Sequence, residues 1–253
     1  AIRLLTGFTL GPLVLAIVYI GGPLFGLLVL GMGIIAAIEF GRVAQLPRTA
    51  TYVLILASIV LIGAGYTRLL VLALPALAIA AFGSLLSGTG QHRLDWAGWT
   101  LLGAIYVGIP LGLCVAIRES PLGLVWIFGL LITNWATDSF AYIGGHWFGS
   151  HLLAPSVSPH KTWEGTIFGV LCGIALALLF NAAARTLSIQ TIGIGVLTAP
   201  ASVFGDLLES AFKRQFGAKD SGQLLPGHGG ILDRIDGLLL ACAAVGLFLA
   251  LTS

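Results

Sequence analysis

Nine apolar runs follow one another along this chain, near residues 4–20, 24–40, 51–67, 69–87, 97–117, 121–143, 164–182, 189–212 and 231–252. Each is long enough to cross a hydrocarbon core of about 30 Å as a helix. Lipid offers backbone N–H and C=O groups no partner, so a spanning segment must satisfy them internally. The pattern predicts an all-α fold: a polytopic integral membrane protein with about nine transmembrane helices. The first two runs are parted only by Gly21, Gly22 and Pro23, which leaves a re-entrant hairpin open as the alternative. The first run has no small-residue cleavage site and many runs follow it, so a removable signal peptide is not expected.

Composition agrees: only 9% of the 253 residues are charged, against roughly 25% in soluble domains. The 35 glycines suit helices that pack backbone to backbone in lipid. A formal net charge of +2 is too small to argue for nucleic acid as a partner. Cys114, Cys172 and Cys242 each lie inside an apolar run, where a thiol behaves as a small hydrophobe, so neither a disulfide nor a Cys-based metal site is expected.

Under nine spans, one side of the membrane collects Arg3, Arg42, Arg48, Arg93, Lys161, Lys213, Arg214, Lys219 and Arg234. Arg68, Arg118 and Arg185 fall on the other. The positive-inside rule turns the richer side to the cytoplasm. The acids repeat the asymmetry, since only Glu119 falls opposite. Insertion does not require acids, and carboxylates at the ends of apolar helices are costly, so their default reading is functional.

The charges concentrate in "FKRQFGAKDSGQLLPGHGGILDRIDG", residues 212–237, and just before it. In "GDLLESAFKR", Asp206, Glu209, Ser210 and Lys213 fall at i, i+3, i+4 and i+7, one stripe of a helix that continues to Lys213. "DRID" sets Asp233 and Asp236 one turn apart at the start of the last run. Between them, "KDSGQLLPGHGG" carries Lys219, Asp220, His228, Gly229 and Gly230 into a helix start. That is a plausible phosphate cradle, because glycines admit close approach and helix N-termini bind anions. Lys213, Arg214, Lys219 and Arg234 stand against Asp206, Glu209, Asp220, Asp233 and Asp236. Such a balance traps phosphate poorly until Mg²⁺ occupies the carboxylates, and acids for a metal beside bases for an anion describe phosphoryl or nucleotidyl transfer.

A second constellation lies upstream. "DSFAYIGGHWFG" carries Asp138, and "SPHKTWEG" carries Ser158, Lys161, Thr162 and Glu164. Lys161 reads as an anion contact, while Glu164 reads equally as a helix cap or a site residue. His92, His146, His151 and His160 are spaced irregularly and read as interfacial residues, not as a zinc set.

The stretch from Ser210 to Asp236, with S-A-F-K-R, then K-D, then P-G-H-G-G-I-L-D-R-I-D, resembles the signature of the phosphatidate cytidylyltransferases, the CDP-diacylglycerol synthases. "SPHKTWEG" resembles the same family, and the first 130 residues match only as apolar helices with an "EF" pair at Glu39 and Phe40. The resemblance implies conversion of CTP and phosphatidate into CDP-diacylglycerol and pyrophosphate, with Mg²⁺, by a homodimer in the bilayer; a second, monovalent ion is left open. Together these readings nominate Asp206, Lys213, Lys219, Asp220, His228 and Arg234 as catalytic. Ser158, Lys161, Thr162, Ser210, Arg214, Gly229 and Gly230 are nominated for substrate, and Asp206, Asp233 and Asp236 for metal. Residues 1–120 then form a helical scaffold that offers dimer contacts, and residues 121–253 the catalytic region. Two rivals differ in sequence: a CDP-alcohol phosphatidyltransferase would carry D-G-x-x-A-R, which is absent, and a secondary transporter would show internal repeats with broken helices at mid-membrane.

Overall fold

The structure is a computed structural model that describes residues 2–67, 73–87, 92–224 and 229–252, with side chains from residue 11 onward. It is all-α apart from one small hairpin. Among the described residues seven helices are long and apolar enough to cross a membrane, and two shorter apolar stretches, Gly11–Ile20 and Ala73–Leu86, accompany them. The chain divides into two compact units, Ala1–Ser120 with Phe216–Ile235, and Pro121–Gln215 with Asp236–Ser253.

The first unit opens with α1 (Ile2–Ile20) and α2 (Gly22–Val43). Gly21 parts them with φ of 71°, a left-handed turn that suits glycine. Pro23, in the first turn of α2, sits where a missing N–H is harmless. Arg118 donates from Nε to Val18 O at 2.8 Å and from a terminal nitrogen to Tyr19 O at 2.9 Å, capping the end of α1. Glu119 accepts from Gly22 N at 3.2 Å at the start of α2. α3 (Arg48–Thr67) and α4 (Ala73–Ser87) follow.

The next rod is interrupted. α5 (Arg93–Gly103) passes through a π-helical turn, Ala104–Gly108, into α6 (Ile109–Arg118). Pro110 has no N–H to return to the preceding turn, and the wide turn lies just before it. α6 crosses α3 closely: a Cβ on Gly112 would meet Leu61 O at 2.5 Å. Phe216 stacks edge-on against Trp99 of α5, with ring centres 4.9 Å apart.

The second unit holds α7 (Gly123–Phe148), strands β1 (Leu152–Ala154) and β2 (Ser158–Thr162), α8 (Trp163–Ala183), α9 (Ile189–Gln215) and most of α10 (Leu232–Thr252). α8 lies against α7 along Gly165, Gly169 and Gly173. Cβ atoms on the first two would meet Ala141 O at 2.6 Å and Thr137 O at 2.5 Å. Only backbone faces Gly165, and at Gly169 and Gly173 the nearest side chains are the small Ala141 and Thr137, which is how helices without a hydrophobic driving force between them gain contact in lipid. β1 and β2 pair antiparallel, Leu152 opposite Thr162 and Ala154 opposite Ser158. Ser158 therefore lies in a strand, and Thr162 is the cap of α8, its Oγ1 accepting from Gly165 N at 3.2 Å.

Candidate functional site

In the second unit the polar groups gather at the hairpin end of α7, α8 and α9. α9 runs unbroken to Gln215, so the stripe expected from spacing forms. Ser210 Oγ donates to Asp206 Oδ1 at 3.2 Å, and the Lys213 ammonium pairs with the Glu209 carboxylate. Glu209 is completely buried and the Lys213 side chain is 12% exposed. A carboxylate so deep persists only with its partner in place.

The second oxygen of Asp206 pairs with Lys161 of β2, at 2.6 Å from Oδ2 to Nζ. Both side chains remain partly exposed because they border a cavity of about 470 Å³. Asp138, Tyr142, His146, His160, Thr162 and Thr166 share its lining. Lys161 reaches it because the hairpin is pinned: Glu164 Oε2 accepts from Ser150 N at 3.1 Å and His151 N at 3.2 Å. Its Oε1 faces His151 Nδ1 at 2.5 Å. Glu164 thus braces the hairpin, and the helix cap falls to Thr162. His146 and His160, which irregular spacing marked as interfacial, line the cavity.

Asp236 joins this unit through a close crossing. A Cβ on Gly205 would meet Asp236 O at 2.5 Å and Gly237 Cα at 2.9 Å, so α9 and α10 touch backbone to backbone. The crossing brings Asp206 and Asp236 within electrostatic reach, with Asp138 and Lys213 also acting on the Asp236 carboxyl. Among the described residues no three of His, Cys, Asp or Glu cluster tightly enough to cage a metal alone. Mg²⁺ does not need such a cage, since it takes one or two carboxylates and completes its shell with water and phosphate oxygens. Asp206 and Asp236, hard oxygen donors at adjoining positions, fit that requirement.

Lys219, Asp220, Gly229, Gly230, Asp233 and Arg234 lie in the first unit. Asp233 receives Ser221 N at 3.1 Å on Oδ1 and 3.0 Å on Oδ2, and Gly230 N at 2.8 Å on Oδ2. Lys219, Asp220 and Arg234 are exposed, and Gly229 adopts φ of 79°. His228 lies outside the described residues. Arg214 is exposed on α9 in the second unit. Glu39, on the basic-rich side by sequence and part of the "EF" pair, also belongs to the first unit. It is 3% exposed and accepts from Ser221 Oγ, Ile231 N and Leu232 N. A carboxylate inside an otherwise apolar run was the available signal.

The fold and site are those of a polytopic membrane protein with acids and bases around one cavity. Comparison with known proteins makes the class specific: the chain matches the model of the Cytidylyltransferase family over residues 1–252, and it belongs to that family of nucleotidyltransferases. It is similar to the phosphatidate cytidylyltransferase of Brucella abortus biovar 1 (strain 9-941), 36% identical over 97% of this chain and 92% of that protein. The phosphatidate cytidylyltransferase of Bacillus subtilis (strain 168) is 36% identical over 99% of this chain and 98% of its own length. That of Haemophilus influenzae is 48% identical over a shorter stretch, 47% of this chain and 43% of its own.

Proposed function

We propose that the protein transfers a cytidylyl group from CTP to phosphatidate, giving CDP-diacylglycerol and pyrophosphate, with Mg²⁺, as a homodimer whose site faces the cytoplasm. The observation that carries this reading is the cavity in which Lys161, His146 and His160 share a wall with Asp138 and Asp206. Cationic and neutral donors there suit phosphate oxygens, and the carboxylates suit a hard divalent ion. Cytidine and the lipid enter from the names of the relatives. The one-sided distribution of basic residues supports the cytoplasmic orientation.

Asp206 and Asp236 would hold Mg²⁺, whose chemistry there is to neutralise charge on the triphosphate. The chain's own groups do the rest. Lys161 exchanges its Asp206 partner for a phosphate oxygen, and Thr162 and Thr166 orient what the cavity admits. The phosphate of phosphatidate is already an anionic nucleophile, so no base is needed to activate it. Its oxygen attacks the α-phosphorus of CTP in line. The new P–O bond forms as the bond from the α-phosphorus to its bridging oxygen breaks, and pyrophosphate leaves with the electron pair. Alignment supplies most of what such a step requires.

The test is a pair of measurements on the purified protein. With labelled pyrophosphate and CTP but no phosphatidate, no label should return to CTP, and transfer from a chiral CTPαS analogue should invert at phosphorus. Rapid exchange in the lipid-free mixture, abolished by His228→Ala, would overturn direct attack and make His228 the nucleophile.

A further inference from the structure

Glu39 lies near the end of α2, almost 200 residues before the loop it touches, yet its three hydrogen bonds among the described residues go to the two flanks of that loop. Oε1 accepts from Ile231 N at 3.1 Å; Oε2 accepts from Leu232 N at 2.8 Å and Ser221 Oγ at 3.2 Å. In every bond the carboxylate is the acceptor. The fit is tight, for a Cβ on Gly230 would meet Oε2 at 2.5 Å, and one on Gly222 would strike Oε1. Ser221 is the hinge of the arrangement: its hydroxyl donates to Glu39 while its N–H donates to both oxygens of Asp233. Two carboxylates on separate helices thus take up Ser221 N, Ser221 Oγ, Gly230 N, Ile231 N and Leu232 N, stitching both ends of one loop.

Capping alone does not account for this. Asp233, three residues after Gly230, accepts locally from an amide just before α10, while Ile231 N and Leu232 N at the helix start go to Glu39. A carboxylate brought from another apolar helix is a costly way to satisfy two more amides that water or a serine can serve. It does what a local cap cannot, because it ties the loop to a second rod. We propose that Glu39 is a positioning residue for the reaction: from α2 it holds Ser221 on one side of the loop and Ile231 and Leu232 on the other and, through Ser221, fixes the orientation of the Asp233 carboxylate. The proposal rests on the proposed phosphate transfer and on the sequence-based nomination of Asp233, beside Asp206 and Asp236, for its metal.

The experiment compares full-length wild type, Glu39→Gln, Ser221→Ala, Asp233→Asn and the double variants with Asp233→Asn, all in lipid nanodiscs. Hydrogen exchange is followed by mass spectrometry, and initial rates are measured against CTP and phosphatidate. Glutamine keeps the shape of Glu39 but turns one acceptor into a donor facing donors. Exchange of Ser221–Leu232 should quicken at least ~10-fold in Glu39→Gln while other helices keep wild-type protection. kcat should fall ~10- to 100-fold, the range for losing a group that orients a ligand, with KM for CTP within about twofold. Ser221→Ala, which removes only the hydroxyl link, should lower kcat about fivefold. In the Asp233→Asn background both effects on kcat should shrink to within about twofold, because residues that act as one unit are not additive.

Wild-type exchange and rate in Glu39→Gln would overturn the proposal, as would full additivity with Asp233→Asn. Should Glu39→Gln not fold, the Ser221→Ala cycle decides by the same criterion. Full activity of Asp233→Asn would sink the reading beneath the proposal; an impaired Asp233→Asn beside unaffected Glu39→Gln and Ser221→Ala would sink this proposal alone.

Discussion

Gly205→Ala should damage the enzyme more than any other single methyl group added at the crossing of α9 and α10. The new Cβ would lie 2.5 Å from Asp236 O, where ordinary contact begins at 3.4 Å. The obstacle is backbone, so no side chain can swing aside, and the helices must part by roughly 0.9 Å. Overpacking of this kind costs about 1–3 kcal/mol of stability. The functional effect is larger, because Asp206 follows Gly205 and Asp236 supplies the obstructed carbonyl. A displacement near 1 Å in a positioned group costs on the order of 10²-fold in rate. Gly237→Ala is the graded companion: its Cβ would meet Ser202 O at 3.0 Å, a smaller shortfall. Gly98→Ala is the control, with nothing within 4 Å of its Cβ. Thermal midpoints and CDP-diacylglycerol formation in nanodiscs should rank Gly205→Ala worst, Gly237→Ala next and Gly98→Ala indistinguishable from wild type. Wild-type rate in Gly205→Ala, or a reversed order, would refute the claim that this crossing sets the carboxylates.

Asp206→Asn and Asp236→Asn should each lower kcat by about 10²- to 10³-fold, the scale of one lost transition-state electrostatic contact; full activity of either at limiting Mg²⁺ would remove it from the metal site. Lys213→Met should destabilise the protein by about 3–5 kcal/mol by stranding the buried Glu209, and Glu209→Gln in the same chain should recover most of the loss in a thermal melt. In a background without the three native cysteines, Leu122→Cys and Gln215→Cys should label from opposite sides of sealed vesicles, and labelling from one side would contradict the expected crossing of α7, α8 and α9.

The stripe of Asp206, Glu209, Ser210 and Lys213 was legible because it needs only the helical period, and α9 supplies that period as far as Gln215. The apolar runs were legible for a similar reason, since spanning is a property of each segment by itself. What escaped depends on which segments touch. Glu39 and Ser221 stand 182 residues apart, and nothing local in "AAIEFGRV" names a partner. The hairpin escaped because β1 has three residues and β2 five, with Pro159 inside the latter, too short for alternation to register. That His146 and His160 share one cavity was not legible either, because their spacing does not show which elements meet.

The glycine seam of α8 has a consequence for how this protein tolerates change. Opposite Gly165, Gly169 and Gly173, the same helix turns Trp163, Ile167, Leu171 and Leu179 outward, each more than half exposed. Both faces are oily, so the helix is sorted by volume, not by polarity. A water-soluble helix forgives changes on its outer face that preserve charge and punishes polar intrusions within. Here exchanges among bulky apolar side chains on the outer face should be nearly silent, while one added methyl on the inner face meets α7 backbone. Random substitution would therefore find its harmful sites among residues that every hydropathy scale treats as unremarkable, and even the smallest replacement, glycine to alanine, would be disruptive on this face.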